Sequence, residues 1–429
     1  MSSGARQWGQ PPGVSPSGDP LGCCGNPNAA LQSSWFIDPV GGNDVNSGAT
    51  AGTAIRTHAE LMARLRGQVI NITVTINVLG DVSASDPFLV RLTIGDSGFV
   101  RYVGAPQATL ATGTFTAVTN QSPPANQPAE VTDNALAGDW GALGLVEQRV
   151  RVVSGTVVGA IAWVAKDLTA KAARMSSWSQ PNSAANPFPA QFGNVNVAVG
   201  DGYVVERLPS VDVLRIDVSC SGETVGGFAA TSRRLIFDGI TFNAPFDRYL
   251  SLTADNPISI AFVGCHVNGP QGRASGAAFH ASQLDPFQTG GTGEIYVLDA
   301  CIVRSFLNIN VHTTCYVLNN TVIQGSGFSE CAGRMFSVSA GFMDCGPDAL
   351  RVSPMGTARI VGPVWGSGNA GSAWRVISGG KVIYTNAFIL AAMTVTSAGN
   401  DALVGGTART YAQLPYVEPN NNAMIVTYT

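Results

Sequence analysis

Charged side chains are scarce in this 429-residue chain: Asp, Glu, Lys and Arg together make up 12%, and three of the 24 basic residues are lysines, Lys166, Lys171 and Lys381. An ordinary soluble chain carries about 25%. With a net charge of −4 there is no basic surplus to hold a nucleic acid or an anionic membrane surface. No apolar run approaches the roughly 18 residues of a membrane-spanning helix. The opening stretch MSSGARQWGQPPGVSPSGDP lacks the basic-then-apolar order of a secretory leader, so a product made in the cytoplasm is expected. Eight cysteines over this length are too few for a disulfide framework, and none has CxxC spacing, which argues against structural zinc. Buried free thiols are expected instead, Cys behaving as a small hydrophobe in cores. Neither a phosphate-binding loop, a dinucleotide fingerprint nor a Ser-His-Asp pattern is present, and no cofactor is expected.

What the chain has in abundance is glycine, 50 residues, and a short recurring pattern between Arg234 and Leu390. Aligned without gaps, seven copies read LIFDGITF, IAFVGCHV, YVLDACIV, YVLNNTVI, FSVSAGFM, ARIVGPVW and VIYTNAFI. Each leads four mostly apolar or β-branched residues into a small or turn-permissive one, at Gly239, Gly264, Ala300, Asn320, Ala340, Gly362 and Asn386. Centres lie 25, 36, 20, 20, 22 and 24 residues apart, the range of repeats that stack to bury a shared core. Strand-forming residues dominate, so the expected fold class is all-β, a solenoid whose strands pair one coil along. Its corners need left-handed backbone and therefore Gly or Asn. A slip of one residue in this frame would exchange inner and outer faces.

Taken in order, residues 1–34 are rich in Gly, Pro and Ser without periodicity and read as an extended attachment arm. Residues 35–104 open with WFIDPVGGNDVNSG, in which Asp38, Asn43, Asp44 and Asn46 offer either calcium-ligating oxygens or Asx-turn acceptors. THAELMARLRG follows. Thr57 and Glu60 make a capping box, and Leu61, Met62 and Leu65 an apolar stripe, of a helix suited to cover the open end of a strand stack. Residues 105–209 abandon the coil pattern and are expected to form an inserted, mainly antiparallel β-subdomain. Trp140, Trp163 and Trp178 concentrate there, either as its core or as exposed docking aromatics. Residues 210–395 carry the coils, and 396–429, ending in MIVTYT, a cap or trimerisation segment.

The opening WFIDPVGGNDVNSG and the seven copies resemble the right-handed parallel β-helix superfamily, the fold of pectate-lyase-like enzymes and of many phage tailspikes and virion appendages. The resemblance covers about half the chain and lies at the level of fold. It implies either polysaccharide cleavage or a structural role. For cleavage, the candidates are Asp344, Asp348 and Arg351 in DCGPDALR, with Asp238 and Asp299 sharing a repeat position. The Gly-His-Gly and Asp-Asp signatures of galacturonase-like hydrolases and the Arg-x-Pro-x-x-Arg pattern of pectate lyases are absent. The expectation is therefore a structural or adhesive appendage of a virus-like particle, a homotrimer attached to other particle proteins through residues 1–34 and meeting host-surface polysaccharide. The alternative is a polysaccharide lyase or glycoside hydrolase.

Overall fold

The structure, a computed structural model, describes residues 31–220 with short breaks and, beyond them, chiefly strands between 234 and 428. Residues 1–30, 121–128, 182–191, 221–233, 244–249, 269–276, 282–294 and 391–415, with shorter stretches between strands, fall outside the description. Among the described residues the chain is mostly β, with one short α-helix and both parallel and antiparallel sheets.

Three sets of parallel strands recur in turn along the chain. The first ladder has 11 strands, from Ser34–Ile37 through Arg234–Asp238 and Ser259–Val263 to Met424–Tyr428. A second ladder joins Phe88–Ile94, Ser210–Cys220 and Leu250–Asp255 to later strands. The third begins at the start of that same long strand and continues through Thr241–Asn243, His266–Asn268, Ile302–Arg304 and Val322–Gln324. In-register parallel pairing sets equivalent residues over one another about 4.8 Å apart. One core column accordingly stacks Tyr102 on Phe237 at 5.0 Å and Phe237 on Phe262 at 5.3 Å between ring centroids.

The corner between first and third ladders bears out the left-handed backbone expected of it: φ is 63° at Gly239, 53° at Gly264 and 51° at Ala300. Asn320, Ala340, Gly362 and Asn386 lie outside the described residues. In the fourth copy the gapless frame slips: Tyr296 pairs Cys315 rather than Tyr316, and Cys315 and Val317 are the core residues. The cause is one extra residue between strand and corner. Leu298 is two residues before Ala300, whereas Val317 is three before Asn320.

Ile240, which follows the Gly239 corner, is buried and apolar, but Cys265, Cys301 and Thr321 at the equivalent place in later repeats are buried donors. Cys265 Sγ donates to the Phe237 carbonyl at 3.3 Å, Cys301 Sγ to that of Phe262 at 3.2 Å, and Thr321 Oγ1 to that of Leu298 at 3.1 Å. These carbonyls occupy one register column, each served by a residue that follows the next strand of the first ladder. Cys265, Cys301 and Cys315 are buried and not in disulfides, in keeping with the thiol reading, but two of them serve as more than small hydrophobes. We expect Cys301→Val, which keeps the volume and removes the donor, to cost about 1–3 kcal/mol, and Cys301→Thr markedly less. Urea midpoints test this, and equal losses for the two variants would sink the donor role.

Helix α1, His58–Leu65, is capped by Thr57, whose side chain accepts from the Glu60 amide at 3.1 Å. Asp86 receives the His58 and Ala59 amides at 2.7 and 3.3 Å. His58, Leu61 and Leu65 are buried in the same core as the first coils. The edge of Ser34–Ile37 is met by Ile55, which bonds Phe36 and Asp38 backbone at 3.0 and 2.8 Å, so the first ladder does not begin on an open edge.

Within residues 105–209, read from sequence as an insert, the described strand pairs are antiparallel. Trp140 and Trp178 are in its core with Phe115 and Tyr203, at 0% and 1% exposure, and are not docking aromatics. Trp163 is equally buried, but elsewhere.

Candidate functional site: the seam between insert and corners

Two adjacent strands of the insert, Arg149–Ser154 and Ile161–Asp167, lie against the corner column. A Cβ built on Gly239 would stand 2.9 Å from Arg149 Nη1, and one on Gly264 would stand 3.0 Å from Ile161 Cδ1. The glycines thus serve the seam twice, through positive φ and through the missing side chain. At the next corner along, Trp163 Nε1 donates to the Ala300 carbonyl at 2.8 Å. Trp163, Ala165 and Leu208 then close a small apolar cluster with Ile302 and Val322. The insert is therefore fastened at the Gly239, Gly264 and Ala300 corners and at the strand carrying Val322.

The polar half of the seam is a buried ion group. Glu206, 2% exposed, takes Arg149 Nη2 at 2.9 Å on one carboxylate oxygen and Arg151 Nε at 2.7 Å on the other. Arg151 reaches solvent while Arg149 does not. His266, on the third ladder, has its Nε2 4.0 Å from Glu147 and its ring centroid 5.9 Å from that of Trp163. Both carboxylate oxygens of Glu206 are thus taken by guanidinium groups, an arrangement that fastens adjacent strands of the insert to one another beside the corners.

The residues singled out from sequence fall elsewhere. Asp38 accepts the Val40 and Gly41 amides, and Asn43 the Val45 amide, so these oxygens close Asx turns. Asp44 accepts the Arg56 and Thr57 amides and the Thr57 hydroxyl, all within 2.9 Å. Burial alone would raise its carboxyl, but those bonds outweigh it and hold it below the usual range. Asn46 donates to the Ala54 carbonyl. Among the described residues no group of three His, Cys, Asp or Glu could hold a metal ion. Asp344 lies outside the described residues. Asp348 and Arg351 are in one strand of the second ladder, where Arg351 is in register with Glu330 and Arg375. Asp238 is ion-paired with Arg101.

No family model matches the chain, and no curated protein matches it. Two solved structures are similar to it, both of GH136 lacto-N-biosidase from Eubacterium ramulus. The native protein is 10% identical with a TM-score of 0.27, covering 92% of this chain and 68% of that one. The selenomethionine derivative is 11% identical with a TM-score of 0.21, covering 92% and 67%. These findings correct the resemblance to the pectate-lyase-like superfamily and its tailspikes: what this chain is weakly similar to is a protein of another description. The physical reason lies in the motifs. WFIDPVGGNDVNSG is a set of Asx turns, and Gly or Asn at a corner is required wherever a stacked strand turns left-handed, so neither marks a family.

Proposed function

We propose that the chain is a stiff right-handed parallel β-helix, buttressed by its insert, that engages an extended polysaccharide. The observation that supports it is the pairing of the first ladder, parallel through all 11 strands. Such pairing sets outward positions in straight columns, one residue per coil, over roughly 48 Å at about 4.8 Å per strand. A flexible polymer meeting a regular array of this kind finds the same contact repeated without the scaffold having to reorganise. The fastening of the insert to the corners adds rigidity. Holding the polymer makes the chain an adhesive scaffold, and cleaving it makes it a carbohydrate-active enzyme.

One experiment separates these. The full chain is incubated with a mixed-linkage β-glucan, a xylan, a galactomannan and hyaluronan, and followed by affinity electrophoresis together with assays for new reducing ends and unsaturated products. Retardation without products is the expected result. Products would assign the enzymatic form, and neither retardation nor products would overturn the reading.

A further inference from the structure

One sheet edge of the insert is long and bare. The insert's sheet ends on one side in Ala117–Thr119, a strand of three residues. On the other it ends in Ala108–Thr114, seven residues that pair, among the described residues, with Gly202–Arg207 alone. Ala108, Thr109, Leu110, Thr112 and Thr114 are exposed. No charged residue stands between Arg101 and Glu130, and the strand holds no proline. Charge, proline and shortness are the usual protections of an edge. A bulge at Leu110, left over between the Thr109–Glu206 and Ala111–Val205 pairs, is the one such device this strand carries.

The direction of its backbone groups follows from the residues next along. Phe115 gives its amide to the Asp201 carbonyl at 3.1 Å and takes the Gly200 amide at 2.9 Å, on the side of Gly202–Arg207. Thr116 turns the other way, its amide going to the Thr132 carbonyl at 2.8 Å. Successive residues of a strand turn their N–H and C=O groups to opposite sides, so those of Thr112 and Thr114 face the open edge. We propose that this edge pairs with the same edge of a second copy of this chain, antiparallel about a two-fold axis at Thr112. That register sets Thr112 opposite Thr112, Ala111 opposite Gly113 and Leu110 opposite Thr114, with threonines meeting at the centre and no charge facing another. The uncharged edge also selects its occupant. Recognition of a foreign peptide by strand addition draws on pockets or charges for its side chains, and Ala, Thr, Leu and Gly side chains supply no charge to read. A second copy brings a strand already ordered in its own sheet and so avoids the ordering cost of a flexible segment. Contact between two identical patches closes at two copies. The inference goes beyond the polysaccharide reading, does not depend on it, and involves none of residues 396–429.

Sedimentation of the full chain at micromolar concentration tests the contact. The wild-type particle is expected to have twice the mass of Thr112→Lys, in which the two-fold axis sets like charges opposite each other. Thr112→Ser, which keeps the strand uncharged, is expected to match the wild type, as is Val40→Lys at an exposed position outside the insert. Thr112→Cys gives a second readout that does not need the lysine variant to fold. Oxidised glutathione is expected to link two copies of it into a pair that wild type does not form and that reductant separates. Equal masses for wild type and a folded Thr112→Lys overturn the contact, and so does the absence of a linked pair from Thr112→Cys. Either result leaves the polysaccharide reading standing.

Discussion

Replacing Glu206 by leucine should destabilise the protein by about 3–5 kcal/mol, the usual cost of removing one partner from a buried ion pair. The carboxylate is 2% exposed and binds two guanidinium groups. Arg151 can turn to water when its partner goes. Arg149 cannot, because its Nη1 sits over the Gly239 and Gly264 corners. The loss should therefore be read mainly as the cost of stranding Arg149. A second replacement, Arg149→Met, made in the Glu206→Leu background should return most of it, since an apolar pair of similar volume is often as stable as a buried ion pair. Chemical denaturation of the two variants decides the matter. A loss below about 1 kcal/mol for the single change would mean that the seam is hydrated and the insert loosely held.

Acid should weaken the protein through His58 before its carboxylates titrate. Burial pushes this imidazole down to about 3 from an ordinary value of 6.5. Its ring stacks on Phe88 at 4.1 Å between centroids, and its Nε2 meets the Tyr102 hydroxyl at 3.2 Å. The folded form keeps His58 neutral while the unfolded chain takes up a proton, so the stability present above pH 6.5 falls progressively as pH drops towards 3. The full interval corresponds to a loss on the order of 5 kcal/mol. Asp44 and Asp201 act in the same direction lower down. In both, hydrogen bonds overcome the upward effect of burial and hold the carboxyl low, so their contributions are present above the ordinary carboxylate range and are lost below it. Asp86, raised by burial, opposes them. His58→Gln should flatten the slope between pH 6.5 and 4.5 while lowering stability at neutral pH. An unchanged slope in that variant would transfer the effect to another group.

The parts of this fold that were legible in sequence are those decided by one residue and its immediate neighbours. Thr57 announces a helix start because the cap is a local hydrogen bond, but the expected capping box is only half made, the Thr57 amide going to Asp44 and the Glu60 carboxylate to Arg64. Gly239 and Gly264 announce corners because left-handed backbone penalises a side chain wherever it occurs. The fourth copy defeated a gapless alignment because pairing follows the strand, not the corner, and one extra corner residue moves Cys315 and Val317 to the inner face. The seam was not legible. Arg149 and Glu206 are 57 residues apart and meet on antiparallel strands, and Trp163 finds the Ala300 carbonyl 137 residues away. No periodicity joins such pairs. A signal was present only in hindsight: Trp163 stands in GAIAWVA, a run too apolar for a strand with one face in water. The donor role of Cys265 and Cys301 was hidden for another reason, since a thiol reads as a hydrophobe unless the carbonyl it serves is known.

The seam also bears on how such a chain can change its length over generations. A stack of repeats ordinarily grows or shrinks by whole units, because each unit needs only its neighbours. Here Arg149, Ile161 and Trp163 are spaced to meet the particular corners at Gly239, Gly264 and Ala300, and Ile302 and Val322 complete the match. Duplication or loss of a unit inside that interval would offset the insert from every corner below the change. Beyond Val322 no described residue of the insert is in that cluster, and units there are free to be copied or dropped. The insert works as a gauge that fixes the count at one end and leaves the other end open to variation.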